Sequence, residues 1–114
     1  MILGLDVSTS ITGATVMDNQ GKVVYNEAWD LRKYKEFFQK AVIAKNKIRE
    51  LQSAFNIEKI YIEQSLQSFR SGFSSAKTLS TLSRFNGVVS WLCYDIMDTI
   101  PEYIAATSAR KECG

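Results

Sequence analysis

The sequence predicts an α/β domain: a mixed five-stranded sheet, order 3-2-1-4-5, with flanking helices. Two short apolar runs, Ile2-Leu3-Gly4-Leu5-Asp6-Val7 and Lys59-Ile60-Tyr61-Ile62-Glu63, have the length and bounds of buried strands. A block with helical period stands between them. A strand, helix, strand crossover brings the second run back parallel to the first rather than as a hairpin partner. The Asp18-Asn19-Gln20-Gly21 hairpin signal makes the opening an antiparallel meander.

The elements follow in order. Met1 to Val7 is the first strand and Ser8 to Thr12 a turn. Gly13 to Asp18 and Lys22 to Trp29 are the second and third strands, with Val23, Tyr25 and Trp29 expected on one face. Tyr34, Phe37, Phe38, Ala41, Ile48, Leu51 and Phe55 recur at helical spacing, which predicts a helix that gives out near Asn56. Lys35, Lys40, Lys45, Lys47 and Arg49 fall elsewhere on that cylinder and read as a solvated face. Lys59 to Glu63 is the fourth strand, and Gln64 to Gly72 a loop. Ser74 is a plausible N-cap for a long second helix through Leu79, Leu82, Val89, Leu92, Cys93, Ile96 and Met97. Gly87 inside it costs up to about 1 kcal/mol against alanine, so close packing on the sheet or on a partner is expected there. Tyr103 to Ala106 is a short fifth strand, and Thr107 or Ser108 a cap for a further helix.

Composition bounds the function. A chain of 114 residues with 46% hydrophobic and 23% charged residues suits one globular domain. It has no transmembrane run and no signal-peptide pattern at its start. His is absent and Cys93 and Cys113 are the only cysteines, which argues against a zinc site and for an intracellular, reducing setting. The net charge of +2 is too small to argue for nucleic acid by itself.

The chemistry lies in the acids. Asp6 stands in a strand where packing favours an apolar residue, and a buried carboxylate without a partner is costly. Glu63 repeats the anomaly. In the 3-2-1-4-5 order both acids lie near the carboxyl ends of neighbouring strands, at the switch point where open α/β sheets bind ligands. Adjacent carboxylates repel unless a proton or cation lies between them. A magnesium ion suits them, and two-metal sites hydrolyse phosphodiesters. The plainer alternative is that Asp6 caps the Ser8 to Ser10 turn and Glu63 pairs with a lysine.

Charge distribution adds context. Gln64 to Tyr94 holds no acid, where about three would be expected from the chain average. It carries Arg70, Lys77 and Arg84, many serines, and Phe69 and Phe73. Cations and hydroxyls position phosphates, and exposed aromatics stack on bases. Alternatively, the two phenylalanines fold into the core. Thr9, Thr12 and Gly13 after Asp6 also allow a phosphate cradle like that of sugar kinases and actin-like ATPases. A non-catalytic assembly module on the same fold is a further alternative.

The stretch Ile2-Leu3-Gly4-Leu5-Asp6-Val7-Ser8-Thr9-Ser10-Ile11-Thr12-Gly13, followed by Tyr61-Ile62-Glu63-Gln64, resembles the RuvC-like Holliday junction resolvases of the RNase H-like superfamily. The likeness spans the whole chain in element order. Arg84, Gly87 and Tyr103-Ile104-Ala105-Ala106 also fit it. The resemblance implies an RNase H-like fold and a magnesium-dependent endonuclease, with Asp6 and Glu63 as catalytic metal ligands. It implies a loop after Glu63 that enters branched DNA, with Phe69, Arg70, Phe73, Lys77 and Arg84 as DNA-binding residues. It also implies a cytoplasmic homodimer with two Mg2+ ions per complete site.

The sequence departs from that family in places. Val7 and Ser8 stand where bacterial members often have proline and glycine. The loop from Ser65 to Ser74 is longer, with Leu66 near the expected aromatic wedge, so Phe69 or Phe73 would substitute. The family has further carboxylates on a later helix. Residues 1–114 therefore read as one RuvC-type domain truncated before its C-terminal helix, of phage or viral look. Such a fragment is expected to hold magnesium weakly and to cut DNA poorly.

Overall fold

The computed structural model describes residues 1–64 and 76–105. The chain runs β1 (Ile2–Asp6), β2 (Ile11–Met17), β3 (Val23–Asp30), α1 (Phe37–Ala54), β4 (Lys59–Gln64), α2 (Ala76–Met97) and β5 (Glu102–Ala105). The sheet order is β3-β2-β1-β4-β5, as the sequence predicts. β1 and β2, and β2 and β3, are antiparallel; β1 and β4, and β4 and β5, are parallel.

Local chemistry sets each junction. The β2–β3 turn closes because the Asp18 carboxylate accepts from the Gln20 and Lys22 amides, both at 2.9 Å. Gly21 follows at φ 85°, which favours glycine. Pairing then slips between Val16 and Met17: Val16 faces Tyr25 while Met17 faces Val23. Val24 is the extra residue of a β-bulge, and the bulge turns Val23 to the opposite face. Val23 lines the open cleft described below, whereas Tyr25 packs against the core. The expectation that Val23 shares a face with Tyr25 and Trp29 is therefore corrected.

The first helix also starts later than its periodicity suggests. Asp30 accepts from the Arg32 amide at 3.0 Å and is gripped by the Arg32 guanidinium at 2.9 and 2.7 Å. This pair holds the Asp30 carboxyl down at about 2. Tyr34 donates to the Leu31 carbonyl at 3.1 Å, so a turn occupies the residues before Phe37. Of the expected apolar stripe, Phe38 is 68% exposed and does not join the core.

Both helices cover one face of the sheet. Ala44, Ile48 and Leu51 of α1, and Phe85, Val89, Leu92, Cys93 and Met97 of α2, pack with Leu3, Leu5, Ala14, Val16, Ile60 and Ile62. The Phe37 and Phe85 rings meet edge to face at 5.5 Å. Lys47 donates to Glu27 at 2.9 Å and Tyr103 to Ser90 at 2.6 Å, which ties each helix to an outer strand. Lys47 is thus turned toward the sheet, not onto a solvated face. The Cys93 thiol is buried and pushed up to about 12 by desolvation, which makes it a poor nucleophile. Gly87 does not pack on the sheet: it is exposed, and a Cβ there would meet nothing within 4 Å. Among the described residues no helix is long and apolar enough to cross a membrane.

Ile48 is fully buried between α1 and the sheet. Ile48→Ala should cost about 2–5 kcal/mol in denaturant unfolding. A loss under about 1 kcal/mol would mean that α1 is not docked as described.

Candidate metal centre and nucleic-acid interface

The site is set by register. In the parallel β1–β4 pair, Leu5 stands beside Ile62 and Asp6 beside Glu63. Side chains alternate along a strand, so Leu5 and Ile62 face the helices while Asp6 and Glu63 share the other face. Both acids line a cleft of about 410 Å³ with Gly4, Gly13, Tyr61 and Ile104. The lateral row across the sheet reads Ala28, Gly13, Asp6, Glu63, Ile104. A Cβ at Gly13 would stand 3.7 Å from the Asp6 Cβ, an ordinary contact. A larger side chain would crowd the carboxylate from the β2 side.

Asp6 faces solvent, yet the surrounding sheet desolvates its carboxyl in part and raises its pKa above the usual 3.8. Glu63 has an interaction partner of its own in the structure. Among the described residues, no cluster of three or more His, Cys, Asp or Glu side chains could hold a metal ion. Asp6 and Glu63 are thus an incomplete donor set. Their oxygen chemistry fits a hard divalent cation held loosely by two carboxylates and water.

The turn after Asp6 is tightly built. Ser8 donates its amide to Thr12 Oγ1 at 3.2 Å, and Thr12 Oγ1 donates back to the Ser8 carbonyl at 2.8 Å. Thr12 is 1% exposed, so its hydroxyl is spent inside the fold. This removes one hydroxyl from the phosphate cradle of the ATPase-like alternative. Lys40 Nζ donates to the Thr9 carbonyl at 2.5 Å. Sequence reading placed Lys40 on a solvated face. It stands one turn before Ala44 and two before Ile48, on the buried stripe of α1, and that phase was the available signal.

Lys77 and Arg84 are exposed on α2 in the helical layer, away from the Asp6 cleft. The Arg84 guanidinium lies 5.8 Å from the centre of the Phe37 ring. Phe69, Arg70 and Phe73, and the Ser74 cap, lie outside the described residues. The N-termini of α1 and α2 lie toward the carboxyl ends of β1 and β4, bringing Arg32, Lys33, Lys35, Lys40, Lys77 and Arg84 to that end together with Asp30 and Glu36. Lys22 and Lys59 stand at the opposite end. α1 has Glu36 at its N-cap, as the helix dipole favours, though no acid in its first turn and no base in its last. α2 has neither and places Asp95 near its C-terminus, which the dipole disfavours.

A raised Asp6 pKa has a definite sign. The metal-free folded state binds the Asp6 proton more tightly than the unfolded chain does, so this group lowers stability as pH rises from 3.8 through the raised folded value. At pH 7, Asp6→Asn should therefore raise the thermal midpoint of the metal-free protein. Near pH 3 the gain should shrink. A midpoint that falls at pH 7 would show that the ionised carboxylate is favourably held without metal.

No protein-family model and no curated protein matches the chain. Solved structures do. RuvC of Thermus thermophilus in complex with a Holliday junction substrate superposes with a TM-score of 0.77 at 9% identity, over 96% of this chain and 67% of that one. Another Thermus thermophilus RuvC structure gives 0.70 at 9% identity, over 96% and 66%. The chain thus spans about two thirds of the length of each RuvC chain it matches. At this identity the likeness is one of architecture, and the chain has the RuvC-like, RNase H-like fold.

Proposed function

We propose that this domain belongs to a magnesium-dependent endonuclease that cuts Holliday junctions or other branched DNA. The observation that carries the reading is the lateral pairing of Asp6 with Glu63 on the open face of the sheet. Support comes from the shared fold with RuvC, one structure of which holds a Holliday junction substrate. The exposed cations Lys77 and Arg84 on α2 add to it, because phosphate affinity comes chiefly from such charge.

The chain's own residues divide the work. Asp6 and Glu63 would hold the ion through carboxylate oxygens. A bound magnesium ion supplies Lewis acidity and an activated water for phosphodiester hydrolysis. Gly13 keeps the β2 side of Asp6 clear for a backbone to approach. Because burial raises the Asp6 pKa, protons compete with the ion for this carboxylate and ion binding weakens in acid. Lys77 and Arg84 contact phosphates without reading sequence. With only two carboxylates at the cleft among the described residues, residues 1–114 alone should hold magnesium weakly and nick poorly.

Titration calorimetry should detect weak magnesium binding that Asp6→Asn and Glu63→Gln each abolish. The same chain should bind a four-way junction more tightly than a linear duplex. Arg84→Ala should lower the slope of log affinity against log salt by about one. Unchanged magnesium binding in Asp6→Asn would place the site elsewhere. Equal binding of junction and duplex would reduce the reading to a general DNA-binding or assembly module.

We further propose a two-fold homodimer through α2, since twin sites suit the symmetric strands of a junction. Trp91 is 58% and Phe38 68% exposed, around the open Gly87 notch. Such exposed apolar surface marks an interface. Light scattering should give a dimer that Trp91→Glu converts to monomer with its fold intact. A wild-type monomer at high concentration would refute the interface.

A further inference from the structure

The turn that follows Asp6 holds a cation whose placement the fold alone does not explain. Lys40 is half-buried and lies in the first turn of α1, on the stripe that continues through Ala44 and Ile48. An apolar residue would pack there, and an acid would complement the helix N-terminus. Lys40 satisfies neither preference. The ion pairs among the described residues are Arg32 with Asp30 and Lys47 with Glu27 and Glu50; Lys40 has none. A partly buried charge without a counter-ion is costly. Its one hydrogen bond among the described residues, to the Thr9 carbonyl, uses one of three ammonium donors.

Hydroxyl-bearing residues flank Thr9, whose carbonyl Lys40 holds. Ser8 Oγ and Ser10 Oγ share a hydrogen bond of 2.9 Å, and Ser8 Oγ also accepts the Ser10 amide at 3.1 Å. One hydroxyl hydrogen of the pair is therefore left to donate outward. The turn is held rigid while it does so. Thr12 clasps Ser8 from both sides, and the Ser10 carbonyl accepts the Leu31 amide at 2.7 Å. From Asp6 to Ser8 the chain spans at most about 7 Å, comparable to one step between neighbouring phosphates of a strand.

We propose that Lys40 with the Ser8–Ser10 turn is a phosphate subsite that seats the DNA phosphate next to the one presented to Asp6. The substrate named here rests on the nuclease reading above; the anion site itself does not. Lys40 supplies the charge, the serine pair supplies a hydroxyl, and the tethered turn fixes both relative to Asp6. A phosphate there supplies the missing counter-ion and offsets the unfavourable position of Lys40 at the helix start.

The test separates a phosphate ligand from a mere tether of the turn. Lys40→Gln keeps a donor for Thr9 and removes the charge; Lys40→Arg keeps the charge. Binding of a four-way junction across a salt series should lose about one unit of log-log slope in Lys40→Gln and recover in Lys40→Arg. Inorganic phosphate added to the wild-type chain should shift the Ser8 to Ser10 amide resonances, and should leave them in place in Lys40→Gln. A lowered thermal midpoint with an unchanged salt slope would overturn the proposal and leave Lys40 as a structural tether. Phosphate shifts in a wild-type chain that binds no DNA would uphold the anion site and overturn the nuclease reading.

Discussion

The parallel pairing of β1 with β4 is the constraint on which the rest of the molecule depends. Parallel strands cannot be joined by a tight turn, so α1 must cross between them and cover one face. The register is then fixed by burial. Moving β4 by one residue would carry Ile60 and Ile62 to the open face and Glu63 into the core. The same apolar contacts that hold the sheet to the helices therefore hold Glu63 beside Asp6. No separate device is needed to align the acids; packing on one face does it for the other.

Two groups near that alignment sit where stability alone would not place them. Asp6 is partly desolvated and Lys40 is half-buried at a helix start. Each is a small loss against the apolar core. Both lie at or beside the turn that ends β1. Several polar groups elsewhere are conventionally satisfied: Asp30 with Arg32, Glu27 with Lys47 and Tyr25, Asp18 with its own turn. Asn86 on α2 is an exception among the described residues, because its Oδ1 is buried without a hydrogen-bond partner. Local rules are broken mainly where a ligand would repair them.

Much of this was legible in the sequence because the strongest signals are periodic. Strand order, the crossover and the juxtaposition of Asp6 with Glu63 follow from two apolar runs and the helical block between them. What escaped was set by single contacts. Val23 changes face because one extra residue, Val24, enters the ladder, and alternation read from sequence cannot see a bulge. Tyr34 stays out of α1 because Asp30 grips Arg32 and the chain turns first. Phe38 looks like core by spacing yet stands at the rim, beyond the reach of the sheet. Lys40 and Lys47 read as solvent charges because composition separates charged from apolar faces, whereas long amine side chains can bury their stems and reach inward. Gly87 was legible as an anomaly, but open space rather than a close contact surrounds it.

The antiparallel run of both helices against β1 and β4 has an electrostatic consequence. The N-termini of α1 and α2 share the end where β1 and β4 finish, and their C-termini share the other. Side-chain charges of both signs stand at each end: Asp30 and Glu36 beside the first, Lys22 and Lys59 beside the second. The lengthwise polarity of the molecule therefore comes from two aligned helix dipoles rather than from sorted side chains. Such a field is short-ranged, felt within about one turn of each helix end.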